Sequence, residues 1–202
     1  MPARSEERTN ARKEEIINAC EMLYQTMNFK DITIKEIGNV TSFSRTSIYN
    51  YFETKEEIFL ALLKREYDAW ILDLYKIVEE HESMDDEQIA KSLDQRHQLL
   101  KILSMNHYDL EENSRIEMLI EFKVSYGNSL RAVMGILAKF RPDMDIEKRQ
   151  EFVYAFFPFM FGIYPYTVVT KKQKKAMKEA GVDYTYNSVY ELTYTAVKKM
   201  LK

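Results

Sequence analysis

An all-α fold is predicted by three features of this chain. Only five glycines and four prolines punctuate its 202 residues, of which 46 % are apolar. Apolar residues recur three and four apart along most of its length, the period of a helix face, and no apolar/polar alternation lasts long enough to make a strand. Pairs of Ser or Thr with Glu three residues on, at Thr33/Glu36, Thr54/Glu57 and Ser114/Glu117, mark helix starts. In such a capping box the hydroxyl takes an N–H of the first turn and the carboxylate returns to the cap residue's own N–H.

The elements follow in order. An upstream helix containing Ala19 to Tyr24 carries Cys20 on its apolar face; a lone cysteine cannot form an internal disulfide and reads as a small buried hydrophobe. Thr33 opens a second helix near Ile34, whose apolar face of Ile34, Ile37 and Val40 ends at the polar pair Thr41-Ser42. Ser44 is the N-cap of a third, in which Ile48 and Phe52 fall on one face while Arg45, Thr46, Ser47, Tyr49 and Asn50 lie largely off it. Thr54 then opens a long helix with the stripe Ile58, Phe59, Leu62, Leu63, Trp70, Leu74 and Ile77. Later breaks are placed near Ser83 to Asp86, Asn106 to Asn113, Arg141 to Asp145 and Gly181 to Asp183. They leave about five further helices packed as a bundle. One runs from Arg115 to Phe140, and two close the chain, from Ile146 to Thr170 and from Tyr184 to Leu201.

Two short helices joined by a tight turn, with a third following at once, have the layout of a DNA-reading helix-turn-helix. A small bundle whose middle helix is only structural would show the same caps. The composition of the free face favours DNA, because Arg, Thr, Ser, Tyr and Asn reach phosphate oxygens and base edges. No acidic residue, which the DNA backbone would repel, occurs from Phe43 to Phe52.

The run Phe43-Ser44-Arg45-Thr46-Ser47-Ile48-Tyr49-Asn50-Tyr51-Phe52, followed by Thr54-Lys55-Glu56-Glu57-Ile58-Phe59, resembles the N-terminal domain of TetR-family transcriptional repressors. Upstream, Ala19-Cys20-Glu21-Met22-Leu23-Tyr24 and Phe29-Lys30-Asp31-Ile32-Thr33-Ile34 resemble that family's first helix and the threonine opening its second. The likeness covers residues 10–64. It implies a DNA-binding domain over residues 1–54 and a helical ligand-binding and dimerisation domain over 55–202. It also implies a homodimer, formed through the last two helices, on a palindromic operator in double-stranded DNA, with repression as the expected outcome. Arg45 is then expected on a guanine or a phosphate, Thr46, Ser47 and Asn50 near base edges, and Tyr49 and Lys55 on phosphates. Thr33 would set its helix N-terminus against the backbone, and Ser44 and Tyr51 complete the contact set. Two positions depart from the family pattern. Ser42 stands where glycine is common, which predicts a different turn or a modest strain. Gly38 stands where alanine is common, which costs up to about 1 kcal/mol but lets two helices approach closely.

Charge sharpens this reading. The chain carries a net −3, and residues 1–66 hold ten Lys/Arg against eleven Asp/Glu. A DNA-binding head without bulk positive charge must place few cations well, and Arg45 and Lys55 are the focal ones, helped by helix N-termini. Arg4, Arg8, Arg12 and Lys13 could add minor-groove or backbone contacts to DNA, but their interleaving with Glu6, Glu7, Glu14 and Glu15 favours a frayed, solvated end.

Phe152 to Val169 is apolar nearly all round and contains Pro158 and Pro165. The two prolines, its isolation and the charges at both ends argue against a membrane span, so it is expected in the core or in a subunit interface. Phe156, Phe159, Met160 and Tyr164 on this segment, Met118, Phe122 and Tyr126 on the preceding helix, and Trp70 on the long one are candidates to line a pocket for a small apolar or aromatic effector. The alternative is plain core packing. The run Lys171, Lys172, Lys174, Lys175 and Lys178 reads as a solvated helix end. There is no phosphate-cradling glycine loop, HExxH, cysteine pair or nucleophile elbow, and His81, His97 and His107 lie in polar surroundings. No enzyme, cofactor or metal is therefore expected. The polar N-terminus and single cysteine imply a cytoplasmic chain. The competing function is a helical interaction or adaptor module that keeps a degenerate helix-turn-helix.

Overall fold

The computed structural model describes the backbone of residues 2–83, 87–105 and 107–202, and the side chains of all of these except 2–5 and 107. The expected break at Ser83 to Asp86 and the side chains of Arg4 and His107 therefore lie largely outside the described residues. Those residues form α-helices and no strands. In chain order the helices are α1 (Pro2–Thr26), α2 (Ile34–Asn39), α3 (Arg45–Ile48), α4 (Lys55–Glu80), α5 (Glu87–Asp94), α6 (His97–Leu103), α7 (His107–Glu112), α8 (Ile116–Phe140), α9 (Ile146–Thr167), α10 (Lys171–Glu179) and α11 (Val189–Met200). The chain divides into two compact units, Met1–Arg65 with Asn106–Val124, and Glu66–Met105 with Ser125–Lys202.

In the first unit, α1 buries Ile16, Ile17, Ala19, Cys20 and Tyr24. Burial pushes the Cys20 thiol far above its usual range, so it is a packing group and not a nucleophile. Tyr24 and Phe29 both meet the Phe59 ring edge-on, at centroid distances of 5.1 and 4.8 Å. Arg65 of α4 donates to Glu14, Asn18 and Glu21, tying that helix along α1. The stretch read as a frayed arm is helical from Pro2, and a proline suits a first turn because no N–H is needed there.

Helix α8 starts close to the expected Arg115, but without the expected Ser114 cap. The expected break from Asn106 to Asn113 contains α7, and the Ser114 hydroxyl donates back to the Leu110 carbonyl at 2.7 Å, closing α7 instead of capping α8. α8 begins one residue later, at Ile116.

The second unit packs around Trp70, which is fully buried. Its indole donates to Ser92 Oγ at 3.1 Å, and its ring lies 6.5 and 6.0 Å from those of Phe156 and Phe157. Tyr126 meets both Phe157 and Tyr67 edge-on. α9 is covered on one face only: Phe152, Val153, Phe156, Phe157, Met160 and Ile163 are buried, whereas Tyr154 is 70 % and Tyr166 58 % exposed. α11 packs on α5 and α9. The lysine run forms its own helix, α10, opened by a Thr170/Gln173 capping box. It is ended by Gly181, whose φ of +67° lets the Val182 N–H reach the Met177 carbonyl. The last helix starts at Val189 and not Tyr184, because Ser188 and Glu191 supply the capping box. Among the described residues, no single helix is long and apolar enough to cross a membrane.

Candidate nucleic-acid interface

Thr33 caps α2 as expected, its hydroxyl accepting the Glu36 N–H at 3.3 Å. α2 then meets α3 at Gly38. A Cβ built there would stand 3.2 Å from both Cα and Cβ of Arg45, so the close approach anticipated from this glycine is present and lies against the first residue of α3. No described residue other than glycine has a positive φ, and Ser42 carries no left-handed strain. Its N–H donates to the Glu15 carboxylate and its hydroxyl accepts from Arg12 at 3.0 Å. The Ser42 N–H holds the Glu15 carboxyl below its usual range. Arg12 also lies 4.5 Å above the Phe43 ring. A serine thus replaces glycine by fastening the turn to α1.

α3 is a single turn. The expected helix through Phe52 stops at Ile48, after which the Asn50 N–H tightens onto the Ser47 carbonyl and the Phe52 N–H returns to Ile48. Ile48 and Phe52 are fully buried and anchor the element. Ser44, Arg45, Thr46, Tyr49 and Asn50 are exposed, and Ser47 is half-buried with its hydroxyl 3.0 Å from that of Ser44. Arg45 donates to the Tyr49 hydroxyl at 3.4 Å, one helical turn on. Tyr51 is half-buried, edge-on to Phe43. Lys55 is half-buried as well; its ammonium donates to the Phe29 carbonyl at 2.8 Å and lies 4.2 Å over the Phe29 ring. Its charge stays at the first turn of α4, held by Phe29.

One constellation had no sequence signal. Thr54 caps the Glu57 N–H, but the Glu57 side chain does not close the expected box. It turns inward, fully buried, and accepts four N–H groups: the backbone N–H of Arg115 (3.0 Å), Arg115 Nε (2.7 Å), Arg115 Nη2 (2.8 Å) and the backbone N–H of Glu53 (2.7 Å). Burial alone would raise its pKa, yet these donors outweigh burial and hold the carboxyl below its usual range. Arg115 Nη2 also donates to the Tyr51 carbonyl (3.2 Å), and the Thr54 hydroxyl to the Asn113 carbonyl (2.8 Å).

The candidate effector residues divide between the two units. Trp70, Phe156 and Met160 are fully buried, and Tyr126, Phe159 and Tyr164 partly so, all within the second unit; burial raises the phenol pKa of Tyr126 and Tyr164. Met118 and Phe122 are buried within the first unit instead. An apolar cleft of about 290 Å³ in the second unit is lined by Tyr166, Val169, Met177, Tyr184 and Tyr186 among others, none of them a predicted residue.

The family model described as bacterial regulatory proteins, tetR family, matches residues 16–62, and that of the tetracyclin repressor-like C-terminal domain matches residues 64–187. The chain belongs to the TetR family. This TetR-family regulator finds no match among curated proteins by sequence. Its fold is shared by a TetR/AcrR-family regulator from Thermobifida fusca (TM-score 0.58, 16 % identity, covering 95 % of this chain and 97 % of that one). It is shared also by FadR of Thermus thermophilus in complex with lauroyl-CoA (0.58, 15 %, 94 % and 93 %) and FadR of Bacillus subtilis in complex with stearoyl-CoA (0.55, 17 %, 93 % and 97 %).

Proposed function

We propose that the protein is a ligand-responsive repressor that binds a palindromic operator as a homodimer. The observation carrying this reading is the presentation of α3: a one-turn helix anchored by buried Ile48 and Phe52 and offering Arg45, Thr46, Tyr49 and Asn50 to solvent with no acidic side chain from Phe43 to Phe52. Two such helices in successive major grooves lie about 34–36 Å apart on one face of the duplex. The Thr33, Ser44 and Lys55 positions flank α3 and supply backbone contacts, with Ser47 and Tyr51 bordering the base-reading side chains. Dimerisation through α9 and α11 is supported by the exposed apolar face of α9, with Tyr154 and Tyr166, which a second copy would cover.

The expected result is retention of a labelled inverted-repeat duplex at moderate salt, abolished by Tyr49→Ala. A wild-type protein that retains no duplex would favour the adaptor reading.

The effector is proposed to be a small apolar or aromatic compound bound among the aromatic side chains of the second unit. Two fold relatives were crystallised with acyl-CoA thioesters, and the Trp70, Tyr126 and Phe156 cluster offers an apolar environment in this chain. A coupling of about 1–3 kcal/mol between ligand and DNA sites suffices for a useful switch. Lauroyl-CoA and simple aromatic compounds are expected to quench Trp70 fluorescence and release bound duplex. Absence of both responses across that set would count against this class of effector.

A further inference from the structure

We infer that Arg115 is a positioning residue for DNA reading, which holds the exit of α3 and the first turn of α4 against the α7–α8 turn through Glu57 and the Tyr51 carbonyl. The inference rests on the proposal that α3 reads DNA.

Three observations carry it. First, α3 is one turn long and runs straight into the turn at residues 49–51, so it has little internal structure to fix its direction. What grips that turn sets where Arg45 and Tyr49 point. Second, the grip is built to a high standard. Glu57 is fully buried and its two oxygens are filled by four donors, three of them from Arg115. A buried carboxylate left without its partner is strongly destabilising, which makes the arrangement close to all-or-none. The planar guanidinium bridges the Glu57 carboxylate and the Tyr51 carbonyl, with its Nη1 3.5 Å from the Glu53 carboxylate, a fork that a lysine ammonium does not supply. Third, a second tie runs parallel to it, from the Thr54 hydroxyl to the Asn113 carbonyl at 2.8 Å. Both ties join the segment that follows the reading helix to residues about sixty positions later, and both lie inside one compact unit. Arg115 makes none of the contacts proposed for DNA, so its effect on binding must pass through geometry.

A residue that only stabilises the fold and one that aims the reading helix are separated by specificity. Misaimed reading helices lose base contacts but keep the general attraction to phosphate, whereas a merely destabilised head, assayed below its melting temperature, keeps the same preference. The experiment measures binding of wild type, Arg115→Ala and Arg115→Lys to a duplex selected from a randomised pool by the wild-type protein, and to a scrambled duplex of equal length, across a salt series. Arg115→Ala is expected to bind the selected duplex about tenfold more weakly with little change on the scrambled one, and with an unchanged salt slope. Arg115→Lys keeps a cation beside Glu57 without the bridging fork and is expected to fall between the two. Equal losses on both duplexes, or a shallower salt slope that makes Arg115 a phosphate contact, would overturn the inference. If Arg115→Ala does not fold, the lysine variant carries the test: a wild-type preference for the selected duplex overturns the inference and a reduced one supports it. Failure of the wild-type protein to select any duplex would instead sink the DNA-binding proposal.

Discussion

Trp70→Ala is expected to remove about 3–5 kcal/mol of stability, the range for deleting a large aromatic side chain from a packed core. Trp70 is fully buried, touches the rings of Tyr67, Phe156 and Phe157, and satisfies Ser92 through its indole N–H. Ser92 in turn donates to the Ile89 carbonyl, so the indole joins α4 to α5 by a hydrogen bond and to α9 by ring packing. For a domain whose total stability is about 5–15 kcal/mol, this is a large share. Equilibrium denaturation of wild type and variant measures it. A loss below about 1 kcal/mol would mean that the indole is not fully packed, and would favour a ligand cavity beside it over a filled core.

Arg45→Ala is expected to relax sequence preference at one base position in each half-site. A good side-chain–base pair discriminates by about 1–3 kcal/mol, so roughly a tenfold or greater preference should disappear there while other positions keep theirs. Arg45 is exposed at the head of α3, steadied by Tyr49 one turn on, and its backbone rests against Gly38, where no side chain intervenes. Binding profiles of wild type and variant on single-substitution duplexes measure the effect. A uniform loss at every position, with a reduced salt slope, would reassign Arg45 to a phosphate.

Local chemistry was readable where the deciding contact is local. The cap at Thr33, the anchor pair Ile48 and Phe52, and the tight packing at Gly38 all depend on nearby residues; spacing found the first two, and the departure from the family pattern pointed to the third. Ser42 was visible as a departure, but its remedy lies twenty-seven residues away on Glu15, so sequence could suggest strain and not its absence. Glu57 and Arg115 were missed for the same reason. Both stood beside capping signatures that accounted for them locally, and their true partnership spans fifty-eight residues. The apolar run from Phe152 to Val169 showed composition without direction. Folding splits it into a buried face and an exposed one, a division that the near-uniform apolar sequence does not encode.

The most direct measurement is selection of duplexes from a randomised pool by the wild-type protein, followed by sequencing and footprinting of the enriched sites. The expected result is an inverted repeat whose half-sites lie about 10 base pairs apart, centre to centre, with protection confined to one face of the duplex. No enrichment above the starting pool at moderate salt would contradict a DNA-reading role for α3.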